Sequence, residues 1–431
     1  MRILHLSDAL YPLVTGGTEI FIQQLIEAQK SLKPDRQVLW AAHDENGCWV
    51  NSPKLSELGT GQCLLPVIKS GTRLEQSSFE AAETPGFDEL LATYRPTTVH
   101  MHSFSEMCGL KHARASKIAG AKLVVTVHAP GFSCIKGNLI NSEGEICDGI
   151  LREDKCTQCR LNNGGLPRWL AGIVAMQNGW PLNVETSGKM AHVLTARRLT
   201  AKAHSAWREL AERADAIHVL AKWSRDVLIG QGIAAHKIHL IRTAGPATLP
   251  KRERKPMQDG VLRLVYWGRC VSVKGLHLVI KAIKGMRINS PIQLDCYGPY
   301  WDSDYGQDLL AQIEDDPRIR VLGNVPKDKL LGILQSYDLA VVPSTWLETG
   351  PLTVLEAFAA GLPVAGSDLG GIREQLLGIA GCQLLPLDAN AWKRYLLELM
   401  ENPASIAYEP PRPNRSFIDL AHDMEPLYAD D

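Results

Sequence analysis

Apolar positions along the chain follow two alternating patterns. Short apolar runs, which favour buried strands, alternate with longer stretches whose apolar residues recur at helical spacing. This alternation is typical of parallel sheets covered by helices on both faces. The strands predicted in the first half are Ile3–Ser7, Gln37–Ala42, Cys63–Ile68, Thr98–His102, Leu123–His128, Ala216–Leu220 and Lys237–Arg242. Those predicted in the second half are Leu262–Trp267, Ile292–Tyr297, Ile319–Leu322, Leu339–Pro343, Val364–Ser367 and Cys382–Leu385. We therefore predict an α/β protein with two doubly wound, Rossmann-like domains.

A charged segment without periodicity, Lys251–Pro256, separates the two sets of strands and is predicted to be a linker. The length of 431 residues also exceeds what one average core accommodates. We expect a first domain over residues 1–250, a second over residues 258–410 and a helical C-terminal segment over residues 411–431.

Composition argues against several classes of protein. The net charge of -1, with both signs mixed, disfavours a dedicated nucleic-acid binder, which usually has a basic face. No apolar run approaches the roughly 18 residues of a membrane span. A predicted strand begins within the first few residues and leaves no room for a signal peptide, so we expect a cytoplasmic protein. Ten cysteines in such a chain favour free thiols or metal ligands over a disulfide framework.

The segment from Glu348 to Gly361 carries the strongest indication of function. Gly350 suits a tight turn, Pro351 suits the start of a helix and Gly361 suits its end. A helix that begins in this way directs backbone N–H groups into the preceding loop, where a diphosphate could bind. Glu348 would flank that site, and Glu356 could accept hydrogen bonds from hydroxyls of the same ligand. Taken alone, the two glutamates could equally be one acid that stabilises the N-terminus of the helix and one solvated acid on the helix.

Two cations follow another predicted strand. Leu262–Trp267 is followed by Gly268 and Arg269, and Lys274 lies just before the next helical stretch. At the carboxyl edge of a strand, Arg269 could hold a phosphate through its planar guanidinium and Lys274 as a point charge. An arginine and a lysine in a loop are more often solvated, so the indication comes from their order relative to the Glu348 segment.

In this order of motifs, the second half resembles retaining glycosyltransferases of the GT-B fold, family 4 (glycosyl transferases group 1), with their Gly-Arg-x4-Lys-Gly and Glu-x7-Glu signatures. The similarity runs from about Val261 to Leu376. It implies two Rossmann-like domains facing a central cleft, with the C-terminal helix returning to the first domain. It also implies a hexosyltransferase-type enzyme that moves a sugar from a nucleotide diphosphate sugar to an acceptor hydroxyl, with retention and without a catalytic cofactor. Such enzymes act in polysaccharide, glycolipid or glycoconjugate synthesis.

The resemblance implies a role for each matching residue. Arg269 and Lys274 would stabilise the leaving diphosphate. Glu348 would hold the donor sugar, and Glu356 would hold the ribose hydroxyls. His128, at the end of a Thr-x-His strand, would orient the sugar by donating a hydrogen bond to one of its hydroxyls. The donor would also contact Gly16, Gly17, Gly268, Thr349, Gly350, Pro351 and Leu352. Without the resemblance, the adjacent glycines Gly16 and Gly17 would indicate only a loop before the first helix.

Two further patterns resemble metal sites. His100 and His102 share one face of a strand, and a His-x-His pair can bind metal, but the family often has this pair without one. We therefore expect packing or a place along the acceptor side. The Asp-Ser-Asp sequence at 302–304 is similar to the metal-binding motif of GT-A glycosyltransferases. Because Arg269 and Lys274 already supply positive charge, we interpret it as a solvated loop.

Four cysteines lie in a polar insertion, residues 130–165, directly after His128. They are Cys134, Cys147, Cys156 and Cys159. The last two have the CxxC spacing of a metal-binding pair, and the first two would complete a tetrahedral set for zinc. The irregular spacing of the first two keeps an ordinary loop as the alternative. A zinc ion held by four thiolates would be structural, since it has no open position. We expect it to shape the acceptor mouth.

Other functions on the same scaffold are also compatible with the sequence. A GT-B epimerase would release free sugar without an acceptor, and a phosphorylase would require inorganic phosphate. A catalytically inactive regulator would bind the sugar nucleotide alone, although the intact charged residues argue against it. The expected partners are a nucleotide diphosphate sugar and a glycan or lipid-linked acceptor, with no nucleic acid. Apolar helical faces in Trp169–Gln177 and Ala191–Ala206 could rest on the inner face of a membrane, although burial is commoner.

Overall fold

The computed structural model gives the chain as two compact units, Met1–Arg242 with Phe417–Asp431, and Thr243–Ser416. It describes residues 1–14, 16–44, 61–66, 77, 79–80, 86–132, 134–177, 183–185, 188–250, 256–406 and 414–429. Residues 251–255 of the predicted linker and residues 67–68 of the third predicted strand lie outside the described residues.

Seven parallel strands form the sheet of the first unit. They are β1 Arg2–Leu6, β2 Gln37–Asp44, β3 Gly61–Pro66, β4 Thr98–Met101, β5 Lys122–Val127, β6 Ala216–Val219 and β7 Ile238–Leu240. Their order across the sheet is β3-β2-β1-β4-β5-β6-β7. The helices between them are α1 Gly17–Leu32, α2 Phe87–Tyr94, α3 Leu110–Ile118, α4 Glu153–Asn163, α5 Arg168–Met176, α6 Lys189–Arg213 and α7 Lys222–Gly230.

Six parallel strands form the sheet of the second unit. They are β8 Leu262–Trp267, β9 Ile292–Tyr297, β10 Ile319–Gly323, β11 Leu339–Val342, β12 Val364–Ser367 and β13 Gln383–Leu385. Their order is β10-β9-β8-β11-β12-β13. The helices are α8 Leu276–Lys284, α9 Asp304–Ile313, α10 Lys327–Leu334, α11 Leu352–Ala360, α12 Gly370–Leu376 and α13 Ala389–Glu401.

The central strands are apolar because helices cover both faces of each sheet. Every residue of β4, β6 and β11 is buried. A parallel sheet enclosed in this way requires nearly continuous apolar strands, which is the pattern in the sequence. All thirteen predicted strands are present, and their ends agree with the prediction within two residues wherever they are described. The predicted doubly wound architecture is therefore confirmed.

The last helix, α14 Phe417–Tyr428, belongs to the first unit and packs against α1. Glu425 accepts hydrogen bonds from Lys33 (2.6 Å) and from both terminal nitrogens of Arg36 (2.5 and 2.6 Å). The Tyr428 hydroxyl lies 3.0 Å from His100 Nδ1. The predicted return of the C-terminal helix to the first domain is thus confirmed. In the described part of the chain, no helix is both long and apolar enough to cross a membrane.

Candidate active site

The order of strands in the second sheet reverses between β8 and β11, and ligands of open α/β sheets bind at the carboxyl ends of strands at such a reversal. The segments that follow these two strands contact each other. Thr345 N donates to Val273 O (2.8 Å). Gly275 has a φ of +71°, and a Cβ atom there would lie 1.9 Å from Pro343 O. Only glycine permits this backbone approach, which brings the two predicted motifs to one edge.

Lys274 and Glu348 form an ion pair at this edge. Lys274 Nζ donates to Glu348 Oε1 at 2.6 Å, and Ser344 Oγ donates to the same oxygen at 2.9 Å. The Glu348 residue is only 7% exposed. Burial alone would raise the pKa of its carboxyl, but the charge and hydrogen bond of Lys274, with the hydroxyl of Ser344, hold that pKa below its usual range. Glu348 is therefore ionised at neutral pH and tied to a cation.

The second glutamate is held by an indole. Trp267, the last residue of β8, donates from Nε1 to Glu356 Oε2 at 2.7 Å. Glu356 is partly buried, and this burial raises the pKa of its carboxyl, although Trp267 and Lys327 oppose the shift. The helix that carries it, α11, begins after Pro351 and ends at Gly361, whose φ is +69°. The predicted loop and helix are present with those boundaries.

The remaining residues of the motif lie on the same two chain segments as Lys274 and Glu348. Gly268 has a φ of +144°, and Gly298 approaches it so closely that a Cβ at Gly298 would lie 2.0 Å from Gly268 O. Arg269 is exposed on the same segment as Lys274, and its carbonyl accepts from Tyr266 OH at 2.8 Å. Among the loop residues before and at the start of α11, Thr349 and Pro351 are buried, whereas Gly350 and Leu352 are partly buried.

The sequence analysis missed a supporting pair of glycines. Gly371 N donates to Glu348 O at 2.6 Å, and a Cβ at Gly371 would lie 2.5 Å from that oxygen. Gly370, with a φ of +50°, packs beside Leu347 in the same way. These residues start α12 and fix the backbone of the Glu348 loop. Two consecutive glycines before a helix were the available signal, the same one that drew attention to Gly16 and Gly17.

In the first unit, Gly16 is the N-cap of α1 and Gly17 its first residue. The Glu19 carboxylate lies against this turn, since a Cβ at Gly16 would be 2.4 Å from Glu19 Oε2. His128 follows β5 and is partly buried. Burial, with the neighbouring His218, lowers the pKa of His128 to about 3, so its imidazole is neutral at physiological pH.

His100 and His102 belong to a buried network of histidines. His102 lies 2.9 Å from His5 and 3.0 Å from His128, measured between ring nitrogens. The two ring nitrogens of His100 contact Tyr428 OH (3.0 Å) and Thr126 Oγ1 (2.6 Å). The ligand atoms of His5, His100 and His102 lie within 4.8 Å of one another, as metal ligands can. Because every ring nitrogen of His100 and His102 already has a protein partner, the arrangement is satisfied by hydrogen bonds.

The four cysteines of the insertion line one cavity, together with Lys136 and Lys155 among others. All four are free thiols and partly buried. Burial raises the pKa of Cys156 to about 11, and the three other thiols add to the shift. Their sulfurs do not form a group of three within 4.8 Å, whereas tetrahedral zinc would hold them closer together. The thiols are neighbours but are not drawn together as ligands.

The Asp-Ser-Asp sequence has a structural explanation. Ser303 is the N-cap of α9, and its hydroxyl accepts from Gly306 N at 3.2 Å. Asp304 lies in the first helical turn, where a negative charge is favourable, and both aspartates are exposed.

Comparison with known proteins finds similarity in the part of the chain that carries the site motifs. Residues 249–413 match the family of glycosyl transferases group 1. The match covers the second unit and less than half of the chain. A glycogen synthase of Mycobacterium tuberculosis is 31% identical over 181 residues, which span 41% of this chain and 43% of that protein. The amylovoran biosynthesis glycosyltransferase AmsK of Erwinia amylovora is 28% identical over 42% of this chain and 46% of its own length.

Solved structures resemble nearly the whole chain. The UDP complex of Anabaena HepE has a TM-score of 0.58 at 16% identity, over 98% of this chain and 94% of that one. Sucrose-phosphate synthase of Thermosynechococcus elongatus has a TM-score of 0.58 at 16% identity, over 99% and 96%. At such identities the likeness concerns the fold alone. The protein has the GT-B fold.

Proposed function

We propose that this protein is a retaining glycosyltransferase, which moves a sugar from a nucleotide diphosphate sugar to a hydroxyl of a glycan or lipid-linked acceptor. The observation that carries the proposal is the ion pair between Lys274 and Glu348 at the strand reversal of the second sheet, within the segment that matches the glycosyl transferases group 1. A cation next to an ionised carboxylate offers one group to a diphosphate and another to sugar hydroxyls.

The chemistry follows from these charges. As the bond between the sugar and the diphosphate breaks, negative charge develops on the phosphate oxygens, and Lys274 and the exposed Arg269 would stabilise it. Glu348, already ionised, would accept hydrogen bonds from sugar hydroxyls. Glu356, oriented by Trp267, would accept from the ribose. Retention would follow if the acceptor attacks on the face that the diphosphate leaves, with a phosphate oxygen taking the acceptor proton.

The contribution of the first unit to this reaction rests on the family resemblance. His128 would contact the transferred sugar, and the Gly16–Gly17 turn would approach the donor phosphate. The Glu19 carboxylate beside that turn would have to move away when a phosphate binds, because like charges repel.

A donor screen tests the proposal. Thermal unfolding is measured with UDP-, GDP- and ADP-sugars, since a ligand of the folded state raises the unfolding temperature. UDP-sugars come first because the structure of HepE was solved with UDP and with UDP-glucose. Transfer to a glycan acceptor supports the proposal. NMR of the product should show the same α or β configuration at the anomeric carbon as in the donor sugar. Free sugar released without acceptor indicates an epimerase, a phosphate requirement indicates a phosphorylase, and binding without turnover indicates a regulator.

We also propose that the four-cysteine cavity binds a structural zinc ion. The support is chemical: four thiols and two lysines line one cavity, and the cations would offset the charge of a four-thiolate site. Binding would have to draw the sulfurs closer together than they are.

A further inference from the structure

A continuous chain of hydrogen bonds leads from the interior of the first unit to His128. Gln29 Oε1 lies 2.9 Å from His5 Nε2. His5 Nδ1 lies 2.9 Å from His102 Nε2, and His102 Nδ1 lies 3.0 Å from His128 Nε2. Gln29 and His5 are completely buried, and His102 is 1% exposed.

The chemistry of each group gives this chain a direction. Burial lowers the pKa of His5 to about 4 and that of His102 well below its usual range, so each ring is neutral, with one N–H and one lone pair. With its oxygen facing His5, Gln29 can only accept, so His5 carries its proton on Nε2 and accepts on Nδ1; this orientation of the amide leaves Gln29 Nε2 buried without a hydrogen-bond partner. His102 must then donate from Nε2 and accept on Nδ1. His128 must donate from Nε2.

We propose that Gln29, acting through His5 and His102, holds His128 as the tautomer with its proton on Nε2 and makes Nδ1 the accepting nitrogen. These three are positioning residues. The importance of His128 for catalysis rests on the proposed function, but the tautomer does not. A sugar hydroxyl that contacts Nδ1 must then donate to His128, which is the reverse of the polarity that the family resemblance implied.

A second chain beside the first provides a control. His218 Nε2 lies 2.8 Å from the carbonyl of Ile241, and His218 Nδ1 lies 2.9 Å from Thr126 Oγ1. Thr126 Oγ1 is also the partner of His100 Nε2, at 2.6 Å. This second chain starts at the carbonyl of Ile241, which can only accept, so its hydrogen-bond direction does not depend on Gln29. Thr126→Val therefore perturbs the same buried region without removing a member of the chain to His128.

Nitrogen-15 NMR of the imidazoles in the ligand-free protein tests the tautomer, with the His128 signals assigned by their loss in His128→Asn. We expect a protonated Nε2 and an unprotonated Nδ1 at His128. Gln29→Met removes the acceptor and should produce a second population protonated on Nδ1. Gln29→Glu keeps an acceptor and, like Thr126→Val, should leave the wild-type pattern at His128.

A wild-type His128 protonated on Nδ1 overturns the proposal, and so does a Gln29→Met protein whose His128 pattern equals the wild type. If Gln29→Met does not fold, the wild-type and Gln29→Glu spectra still decide. In a transfer assay, Gln29→Met should lower kcat at least several-fold with little change in the KM of the donor, and Gln29→Glu should restore it. If the wild type transfers no sugar, the proposed function is refuted, but the NMR spectra still test the tautomer of His128.

Discussion

Glu348 combines burial with an ionised carboxyl group, and Lys274 makes this combination stable. A buried charge without a partner costs several kcal/mol, so the lysine has a structural as well as a chemical task. The structural task is measured by the stability of the protein, and the chemical task is measured by turnover.

Lys274→Ala is expected to reduce turnover by about 3 kcal/mol of transition-state stabilisation, because it removes a cation from developing phosphate charge. It should also destabilise the second unit by about 3 kcal/mol, because Glu348 loses its countercharge. Steady-state kinetics and urea unfolding measure the two effects. The double variant Lys274→Ala/Glu348→Gln should regain stability but not turnover, and wild-type turnover in either protein would exclude Lys274 from the mechanism.

The two glutamates should differ in what they bind. Glu356→Gln is expected to weaken the nucleoside diphosphate and the full donor equally, because the lost contact is to ribose. Glu348→Gln should weaken the full donor far more, because the lost contact is to the sugar. Calorimetric titration of both ligands measures this, with a difference of about 1–3 kcal/mol expected for a hydrogen bond to a charged group. Equal losses in both variants would contradict the assigned roles.

The α12 helix acts on the site through its first residues. Gly371→Ala is expected to destabilise the second unit by about 1–3 kcal/mol, because the added Cβ would meet Glu348 O at 2.5 Å and force the loop to shift. Donor affinity should fall with it. Gly332→Ala is the matched control: it lies inside α10 with nothing within 4 Å of its added Cβ, so it should be neutral or stabilising. Urea unfolding and donor titration of both variants decide, and unchanged binding in Gly371→Ala would remove α12 from the site.

The segment that includes α4, which carries Cys156 and Cys159, gives a prediction about metal. We expect about one zinc per chain, bound by Cys134, Cys147, Cys156 and Cys159, since metal binding would supply the free energy of ordering this polar segment. Elemental analysis of protein purified without a histidine tag measures it. Cys156→Ser should lose the metal, whereas Cys382→Ser in the second unit should keep it. Metal far below stoichiometric, with four titratable thiols in the segment, would show that the segment does not bind zinc. Chelation should loosen the region near His128 and spare nucleotide binding.

Acid should weaken the first unit through its buried histidines. The folded pKa of His5 is about 4 against an ordinary 6.5, and burial shifts His100, His102 and His128 in the same direction. The unfolded chain therefore binds more protons below pH 6.5. Stability is fully present above that pH and falls as the pH drops towards 4, by about 1.4 kcal/mol per pH unit for each such histidine.

Urea unfolding between pH 7 and pH 5 measures this effect. His5→Gln should flatten the pH dependence. Equal slopes for the wild type and this variant would contradict the prediction.

The fold was readable from the sequence because parallel strands buried on both faces are nearly continuous apolar runs. The prediction of Glu348, Glu356, Arg269 and Lys274 as one group needed the order of motifs, and the structure joins Lys274 to Glu348 directly. Contacts between segments that are far apart in the chain could not be predicted from the sequence. The support from Gly371, and the hydrogen bonds that link Gln29 to His128 through two other histidines, arise only once strands far apart in sequence become neighbours.

The place of α14 in the first unit has a consequence for how the protein is made. The ribosome releases Arg36, His100 and the rest of the first sheet long before Glu425 and Tyr428, which are their partners in the finished fold. During that interval, the second unit has all of its strands, but the first lacks a packed helix and the countercharge of a guanidinium that is 4% exposed. We therefore expect the first unit to complete its folding only after residues 417–428 have been synthesised, and a chain truncated before residue 417 to leave it vulnerable to proteases.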